Sequence, residues 1–237
     1  MYYKRNAIIA FEGLDCSFKE TNHKAFVNRL MRTRDESIYK IHTESFPRYD
    51  NPISEPLKQW LNGTLARPVL MERPKAVCNL YAIDRFSYWY DTNTLNCNLL
   101  HTDNKEFHYF IFDRYGSSNA IYNPIYKDNF DNIVYDYREW LIPLPDVVVW
   151  MRMRDFDTLA RLLGEKKDKD KNEMDLDFLK KVWDKSEEII HSDAFTKANI
   201  DLIVIDCLDE DNNFRSKESL ADEIWVEVNA AIARKCI

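Results

Sequence analysis

The architecture is indicated by one segment near the start of the chain, Ile8-Ile9-Ala10-Phe11-Glu12-Gly13-Leu14-Asp15-Cys16-Ser17-Phe18-Lys19-Glu20-Thr21. A short apolar run over residues 7–11 predicts a buried strand. A turn with Gly13 follows, and after Lys19 apolar residues recur at intervals of three and four, which predicts a helix. This layout is typical of a phosphate-binding loop, in which backbone N–H groups and a helix N-terminus surround phosphate oxygens.

The match to the phosphate-loop pattern G-x-x-x-x-G-K-[ST] is incomplete. Gly13 and Lys19 fit, but Phe18 stands in place of the second glycine and Glu20 in place of the metal-binding hydroxyl. If position 18 requires a positive φ, a bulky residue there costs roughly 1–2 kcal/mol. From these residues alone, an ordinary strand-to-helix turn with an exposed lysine is the alternative to phosphate binding.

Composition limits the class of protein. The 237 residues suffice for one α/β domain, and 45% hydrophobic with 31% charged residues is ordinary for a globular chain. A net charge of −7 argues against a broad nucleic-acid surface, and no apolar run is long enough to span a membrane. The five cysteines lack metal-like spacing, which favours reduced thiols in a cytoplasmic protein, and the five histidines form no zinc-like cluster. We therefore treat residues 1–237 as a single domain.

Apolar strand patterns alternate with helical patterns along the chain, which predicts a three-layer α/β fold with a five-stranded parallel sheet and helices on both faces. Ligands of such sheets bind at the carboxyl ends of the strands, where residues 13–21, 46–49 and 113–116 fall, so these segments should meet in one crevice. Residues 164–175 contain almost nothing apolar and form either a solvated linker or a mobile lid, which we place at about residues 161–175. We predict strands at 7–11, 37–43, 107–112, 146–151 and 200–205, and helices after Lys19 and at 53–61, 71–99, 133–142, 155–163, 176–190 and 217–235.

Six segments, in order, resemble the thymidylate kinase family of P-loop nucleoside monophosphate kinases. Their order and spacing hold from about residue 8 to residue 190, and together they are more specific than any one alone. The resemblance implies a P-loop NTPase fold with a lid. The segments are Phe11-Glu12-Gly13-Leu14-Asp15, Phe46-Pro47-Arg48, Leu80-Tyr81-Ala82-Ile83-Asp84-Arg85, Asp113-Arg114-Tyr115 with Ser118 and Tyr122, Pro145-Asp146-Val147-Val148, and Asp170-Lys171-Asn172-Glu173 followed by Phe178.

For the phosphoryl donor, the resemblance implies ATP with Mg²⁺. Lys19 would hold the β- and γ-phosphates. Lys171 takes the place of a lid arginine, although the simplest interpretation of the surrounding lysines and acidic residues is a solvated run of charges. Glu20 and Asp113 are the expected metal ligands, Asp113 through water; alternatively, Asp113 would orient the surroundings of the acceptor phosphate. The expected phosphate-binding residues are Gly13, Cys16, Ser17, Phe18, Lys19, Glu20 and Thr21, and the expected catalytic residues are Lys19, Asp113, Arg114 and Lys171.

For the acceptor, the resemblance implies a deoxynucleoside monophosphate. Arg48 and Arg114 would grip its phosphate, because a guanidinium fork matches phosphate geometry. Simpler interpretations exist: Arg114 could pair locally with Asp113, Arg48 could be a solvated loop residue, and Tyr81 could be a core aromatic. The implied acceptor residues are Asp15 for the sugar 3′-hydroxyl, Phe46 and Arg48 beside the phosphate, Tyr81 stacked on the base, Arg85 on a pyrimidine edge oxygen, Arg114 on the phosphate, Ser118 in the base-binding wall, and Tyr122 against the deoxyribose.

The sequence therefore predicts an enzyme that phosphorylates dTMP to dTDP with ATP by in-line transfer. A kinase for another pyrimidine deoxynucleoside monophosphate is one alternative. A non-catalytic nucleotide-binding protein that has lost ATP use through Phe18 and Glu20 is another. The resemblance also implies a homodimer.

Overall fold

The apolar segments form a single parallel sheet in the computed structural model, which describes residues 5–65, 74–91, 96–100, 106–122, 134, 137–166 and 175–235. The three central strands are buried along nearly their whole length, which explains why they read as continuous apolar runs. The predicted five-stranded parallel sheet is confirmed. Its strands are β1 (Asn6–Gly13), β2 (Tyr39–Ser45), β3 (Phe107–Asp113), β4 (Val147–Arg152) and β5 (Asp201–Asp206), in the order β2-β3-β1-β4-β5.

The helices lie on both faces of the sheet. On one face, the ring of Phe26 lies 5.7 Å from those of Phe11 in β1 and Trp225 near the C-terminus. On the other face, Trp89 lies 4.9 Å from Phe110 of β3. The described helices are α1 (Lys19–Thr33), α2 (Glu55–Leu61), α3 (Pro74–Tyr90), α4 (Ser117–Tyr122), α5 (Phe156–Glu165), α6 (Leu176–Ile190), α7 (Ala194–Lys197) and α8 (Lys217–Lys235), with 3₁₀ turns at Pro52–Ser54 and Asn96–Leu100.

Strand β2 begins two residues later than the sequence predicted. The carboxylate of Asp35 accepts the backbone N–H of Ser37 at 2.9 Å and its hydroxyl at 2.7 Å, and the carbonyl of Asp35 accepts the N–H of Tyr39. This turn keeps the preceding residues out of the ladder. The strand ends at Ser45, two residues beyond the predicted end, and Ser45 lies beside Asp113 in the register of β2 and β3.

Two predicted helices are too long. Helix α3 ends at Tyr90 rather than continuing to residue 99, and the Asn96 side chain donates to the carbonyl of Tyr88 at 2.9 Å, which satisfies one of the terminal carbonyls. The helix predicted over 133–142 stops before Leu141, whose φ of 55° is the left-handed conformation that ends helices. Helices α4 and α7 were not predicted.

Of the predicted lid, residues 161–165 continue helix α5, whose N-cap is Asp155, with its carboxylate 2.8 Å from the N–H of Thr158. Residues 167–174, which include Lys171, lie outside the described residues. Within the described part of the chain, no helix has the length and apolar character needed to cross a membrane.

Candidate active site

The phosphate loop, residues 13–21, begins at a glycine whose backbone conformation and close neighbours leave no room for a side chain. Gly13 has φ +142°, and a Cβ there would lie 2.6 Å from the carbonyl oxygen of Met151 and 2.7 Å from Oγ of Ser17. The Ser17 hydroxyl closes the loop by donating to the carbonyl of Leu14 at 2.7 Å. The loop is thus packed directly against the end of β4.

Two further loop residues are left-handed although neither is glycine. Cys16 has φ 62°, and Phe18, at the N-cap of α1, has φ 58° and ψ 17°. The expected cost of about 1–2 kcal/mol for a bulky residue at position 18 therefore applies. Left-handed residues within a tight turn bring successive backbone N–H groups to one side, which is the geometry of an anion-binding nest. The carbonyl of Phe18 accepts both the backbone N–H and the side-chain amide of Asn22, which anchors the first turn of the helix.

Lys19 and Asp113 meet at the carboxyl ends of β1 and β3. The Lys19 ammonium lies 3.4 Å from Oδ1 of Asp113, and both residues are only 8% exposed. Burial, followed by the nearby Arg114 charge, lowers the pKa of Lys19. This cation is held in place and largely shielded from solvent, where its field on a phosphate is strong.

Glu20 and Thr21 lie on the exposed side of the first turn of α1. The Glu20 carboxylate pairs with Lys24 one turn later, and this hydrogen bond lowers the pKa of Glu20. Glu20 nevertheless lines, together with Asp113, a cavity of about 450 Å³ between α1 and the end of β2.

Arg114 forms its ion pair across the phosphate loop with Asp15, rather than locally with Asp113. It has a left-handed φ of 64°, and Nη1 donates to the carbonyl of Gly13 at 3.1 Å. Tyr122 donates to the other oxygen of Asp15 at 2.9 Å. Burial opposes the charge on Asp15, but Arg114, Lys19 and Tyr122 outweigh it, so the pKa of Asp15 is lowered.

Glu12 is a site residue that the sequence analysis missed. It is fully buried, and Oε1 accepts the N–H groups of Tyr115 at 2.8 Å and Ser118 at 3.3 Å. Oε2 accepts the Ser118 hydroxyl, and Oγ of Ser118 in turn accepts from Arg114 at 3.3 Å. Glu12 therefore fixes the segment that carries Arg114. A carboxylate within an apolar strand was the signal that could have revealed this role.

Arg48 is not a solvated loop residue. Its backbone N–H and its Nε each donate to the Asp84 carboxylate at 2.8 Å. Its Nη2 donates to the Asp84 carbonyl at 2.8 Å and to the Ser87 hydroxyl. The sequence analysis did not assign this role to Asp84. The ion pair attaches the segment after β2 to helix α3.

Arg85 is buried among aromatic rings. It is 1% exposed, and its guanidinium carbon lies 5.6 Å from the ring centroid of Phe46 and 5.9 Å from those of Tyr81 and Tyr115. Its Nη1 donates to Oδ1 of Asn119 at 3.2 Å. Its Nε makes no hydrogen bond to the described residues, so a buried donor is left for a ligand.

Together these features define the class of protein. A parallel sheet with a glycine- and lysine-containing loop after β1, and a buried arginine directly after β3, is the framework of a P-loop phosphotransferase. Residues 11–202 match the thymidylate kinase family, and the chain belongs to that family. It is accordingly a nucleoside monophosphate kinase, which confirms the family, the fold and the enzyme class predicted from the sequence.

Solved structures agree on the fold. The chain is similar to the thymidylate kinase of Candida albicans, described as having broad substrate specificity and a novel structural element, with 19% identity, a TM-score of 0.62, and coverage of 97% of this chain and 95% of that one. It is also similar to the thymidylate kinase of Ehrlichia chaffeensis, with 16% identity, a TM-score of 0.56, and coverage of 96% and 98%. Comparison of the sequence with curated proteins gave no match.

Proposed function

We propose that the protein transfers the γ-phosphoryl group of ATP to dTMP and releases dTDP and ADP. The observation that carries this proposal is the pairing of Lys19 with Asp113 and of Arg114 with Asp15 at the ends of two adjacent strands. In-line transfer forms a bond from an acceptor phosphate oxygen to the γ-phosphorus, and the bond to the β,γ-bridging oxygen breaks with its electrons leaving on ADP. Two fixed cations beside these oxygens meet the main requirement, which is charge stabilisation and positioning.

The donor side is assigned to the phosphate loop. Lys19 would contact the β- and γ-phosphates, while the N–H groups of the loop and of the α1 N-terminus would surround their oxygens. The cavity shared by Asp113 and Glu20 supplies hard oxygen ligands, which suit Mg²⁺. No group of three or more His, Cys, Asp or Glu side chains among the described residues could hold a metal alone, which fits an ion shared with nucleotide phosphates. When bound, Mg²⁺ would neutralise phosphate charge. The lid at about residues 161–175, with Lys171, is proposed to add a further cation.

The acceptor side is assigned to the residues around Arg114, Arg48 and Arg85. Arg114 would contact the acceptor phosphate, joined by Arg48 through Nη1, which has no hydrogen bond within the described chain while Asp84 fixes the rest of the guanidinium. Asp15 and Tyr122 would receive the sugar. The unpaired Nε of Arg85, beside Tyr81, is the donor for a pyrimidine oxygen. A ligand oxygen there would remove the cost of a buried, unsatisfied donor.

ADP release from Mg²⁺-ATP tests this proposal, with dTMP compared against dUMP, dCMP, dGMP and no acceptor. We expect turnover with dTMP, and a decrease of about 10²–10³-fold in kcat for Lys19→Met, because one preformed cation is lost. Lys40→Met is the matched control, since Lys40 pairs with Glu106 at the same 3.4 Å but near the start of β2, at the opposite edge of the sheet. No turnover from folded protein that still binds dTMP would leave the non-catalytic nucleotide-binding alternative.

A broader acceptor range is the second candidate. The structurally similar Candida albicans enzyme is described as having broad substrate specificity. Comparable turnover with dUMP or dCMP would assign the protein to a wider pyrimidine range. Arg85→Met should then lower kcat/KM for every acceptor whose base accepts a hydrogen bond there.

The proposal extends to a cytoplasmic homodimer, which family membership supports. Sedimentation equilibrium measures the oligomeric state, and a monomer at micromolar concentration would refute the dimer.

A further inference from the structure

The connection between β5 and α8, residues 207–214, contacts the phosphate loop at two successive residues. The Cys207 thiol donates to the carbonyl of Ser17 at 3.2 Å, and Cys207 is fully buried. The ring of Phe214 meets that of Phe18 edge-on, with centroids 5.5 Å apart and an interplanar angle of 90°. Edge-to-face geometry at this distance is attractive for aromatic rings. The contacts therefore join the loop to a segment that none of the assigned site residues occupies.

The connection is fixed internally. Leu208 and Phe214 form an antiparallel bridge across its base. The N–H of Asp209 donates to the carbonyl of Asn213 at 2.9 Å, and the Asp209 carboxylate accepts the N–H of Asn213 at 2.8 Å. Phe214 therefore projects from a closed turn, although 42% of its surface is exposed. A ring on such a turn can hold its partner in one place.

Phe18 is the bulkiest loop residue in a left-handed conformation, so such a contact matters most there. It occupies the left-handed conformation at the N-cap of α1, where phosphate loops place glycine. A strained backbone conformation persists only where the surrounding structure enforces it, and such strain concentrates at functional sites. The half-buried Phe18 ring packs against the hydrophobic core and meets the Phe214 ring edge-on, and these apolar contacts restrain its side chain.

We propose that Phe214 is a positioning residue for the phosphoryl donor. Its ring holds Phe18 left-handed, and the left-handed Phe18 in turn directs the loop N–H groups at the donor phosphates. This inference rests on the proposed use of ATP, and it explains how a loop without its second glycine keeps that function. The hydrogen bond from Cys207 to the Ser17 carbonyl restrains the residue before Phe18 and supports the same loop conformation.

Calorimetric titration with Mg²⁺-ATP and, separately, with dTMP tests the inference in four proteins: wild type, Phe214→Ala, Phe18→Gly and the double variant. We expect Phe214→Ala to raise the ATP Kd between about two- and tenfold, the range of one edge-on ring contact, and to leave the dTMP Kd within twofold. In the Phe18→Gly background, Phe214→Ala should leave the ATP Kd unchanged, because glycine adopts positive φ without support.

Phe107→Ala is the matched control. Phe107 is also partly exposed and contacts two aromatic rings, those of Tyr39 and Tyr109, but at the start of β3, far from the loop. It should lower the unfolding midpoint without changing either Kd.

Three results would overturn the inference while leaving the kinase intact. These are an unchanged ATP Kd in Phe214→Ala, an equal effect of that substitution on the Phe18→Gly background, and loss of ATP binding in Phe18→Gly alone. A wild-type protein that binds dTMP but not ATP would overturn the inference together with the proposed function, so the two failures are distinguishable.

Discussion

The ion pair between Arg114 and Asp15 gives a quantitative test of how the proposed acceptor side of the site is held together. Arg114→Met removes the charge and keeps most of the side-chain volume, so Asp15 is left without its cation. Removing one partner of a buried pair costs about 3–5 kcal/mol. Here the side chains are 16% and 29% exposed, so solvent screens part of the loss and we expect about 2–3 kcal/mol.

Urea unfolding at neutral pH measures this loss. Asp15→Asn in the Arg114→Met background should recover most of it, because no uncompensated charge then remains. Arg29→Met is the control: Arg29 and Asp222 pair at 2.7 Å but are 36% and 71% exposed, so the loss should stay below about 1 kcal/mol. A loss in Arg114→Met no larger than that of Arg29→Met would refute the reasoning.

The same variant has a pH dependence of defined sign. The pKa of Asp15 is lowered in the folded protein, so its contribution to stability is present above the ordinary carboxyl range and is lost as pH falls through the folded-state pKa. Without Arg114, burial acts against a weaker set of cations and the pKa of Asp15 rises. The acid-induced loss of stability that Asp15 contributes should therefore be smaller in Arg114→Met, so the stability difference between the variant and wild type should narrow as pH falls, and a difference that stays constant with pH would contradict this account.

Three further predictions concern stability. Gly13→Ala should lower the free energy of unfolding in urea by more than about 2 kcal/mol, because the substitution combines a positive φ with a clash against the backbone. Gly164→Ala, in a helix with open space around it, should raise that free energy by up to about 1 kcal/mol. A small loss at position 13 would contradict the close approach of the Met151 backbone to Gly13. Glu12→Ala should lower the free energy of unfolding by about 2–4 kcal/mol, because the buried N–H groups of Tyr115 and Ser118 lose a charged acceptor. An unfolding midpoint equal to that of wild type would show that these donors form other hydrogen bonds. Burial and the stacked His108 lower the pKa of His42 to about 4. As pH falls, the unfolded chain therefore takes up a proton at position 42 before the folded protein does, and stability should fall between pH 6.5 and 4. His42→Gln should reduce this fall in stability, and an unchanged slope would show that other groups cause it.

Much of the fold could be predicted because local patterns specify it. Helix bounds at Leu176–Ile190 and Lys217–Lys235 agree with the predicted ones, and every predicted strand overlaps an observed one. The errors in the ends of predicted helices lie where a side chain or a backbone turn stopped the helix. Asn96 does so after α3, and Leu141 does so before β4. Apolar periodicity carries no information about such end contacts.

The sequence by itself determined the strand–helix alternation, the positions of the loops, and the identity of the residues that reach the carboxyl edge of the sheet. These features follow from the periodicity of apolar residues and from the positions of glycine and proline, which influence the chain over a few residues. Only the tertiary structure decided how those residues pair: Arg114 with Asp15, Arg48 with Asp84, and Phe18 with Phe214. Each pair joins residues far apart in the chain, because the order β2-β3-β1-β4-β5 places β3 beside β1 and the β5–α8 connection against the phosphate loop. Ion pairs and ring contacts depend on distances of a few ångströms, and those distances exist only after the sheet has formed.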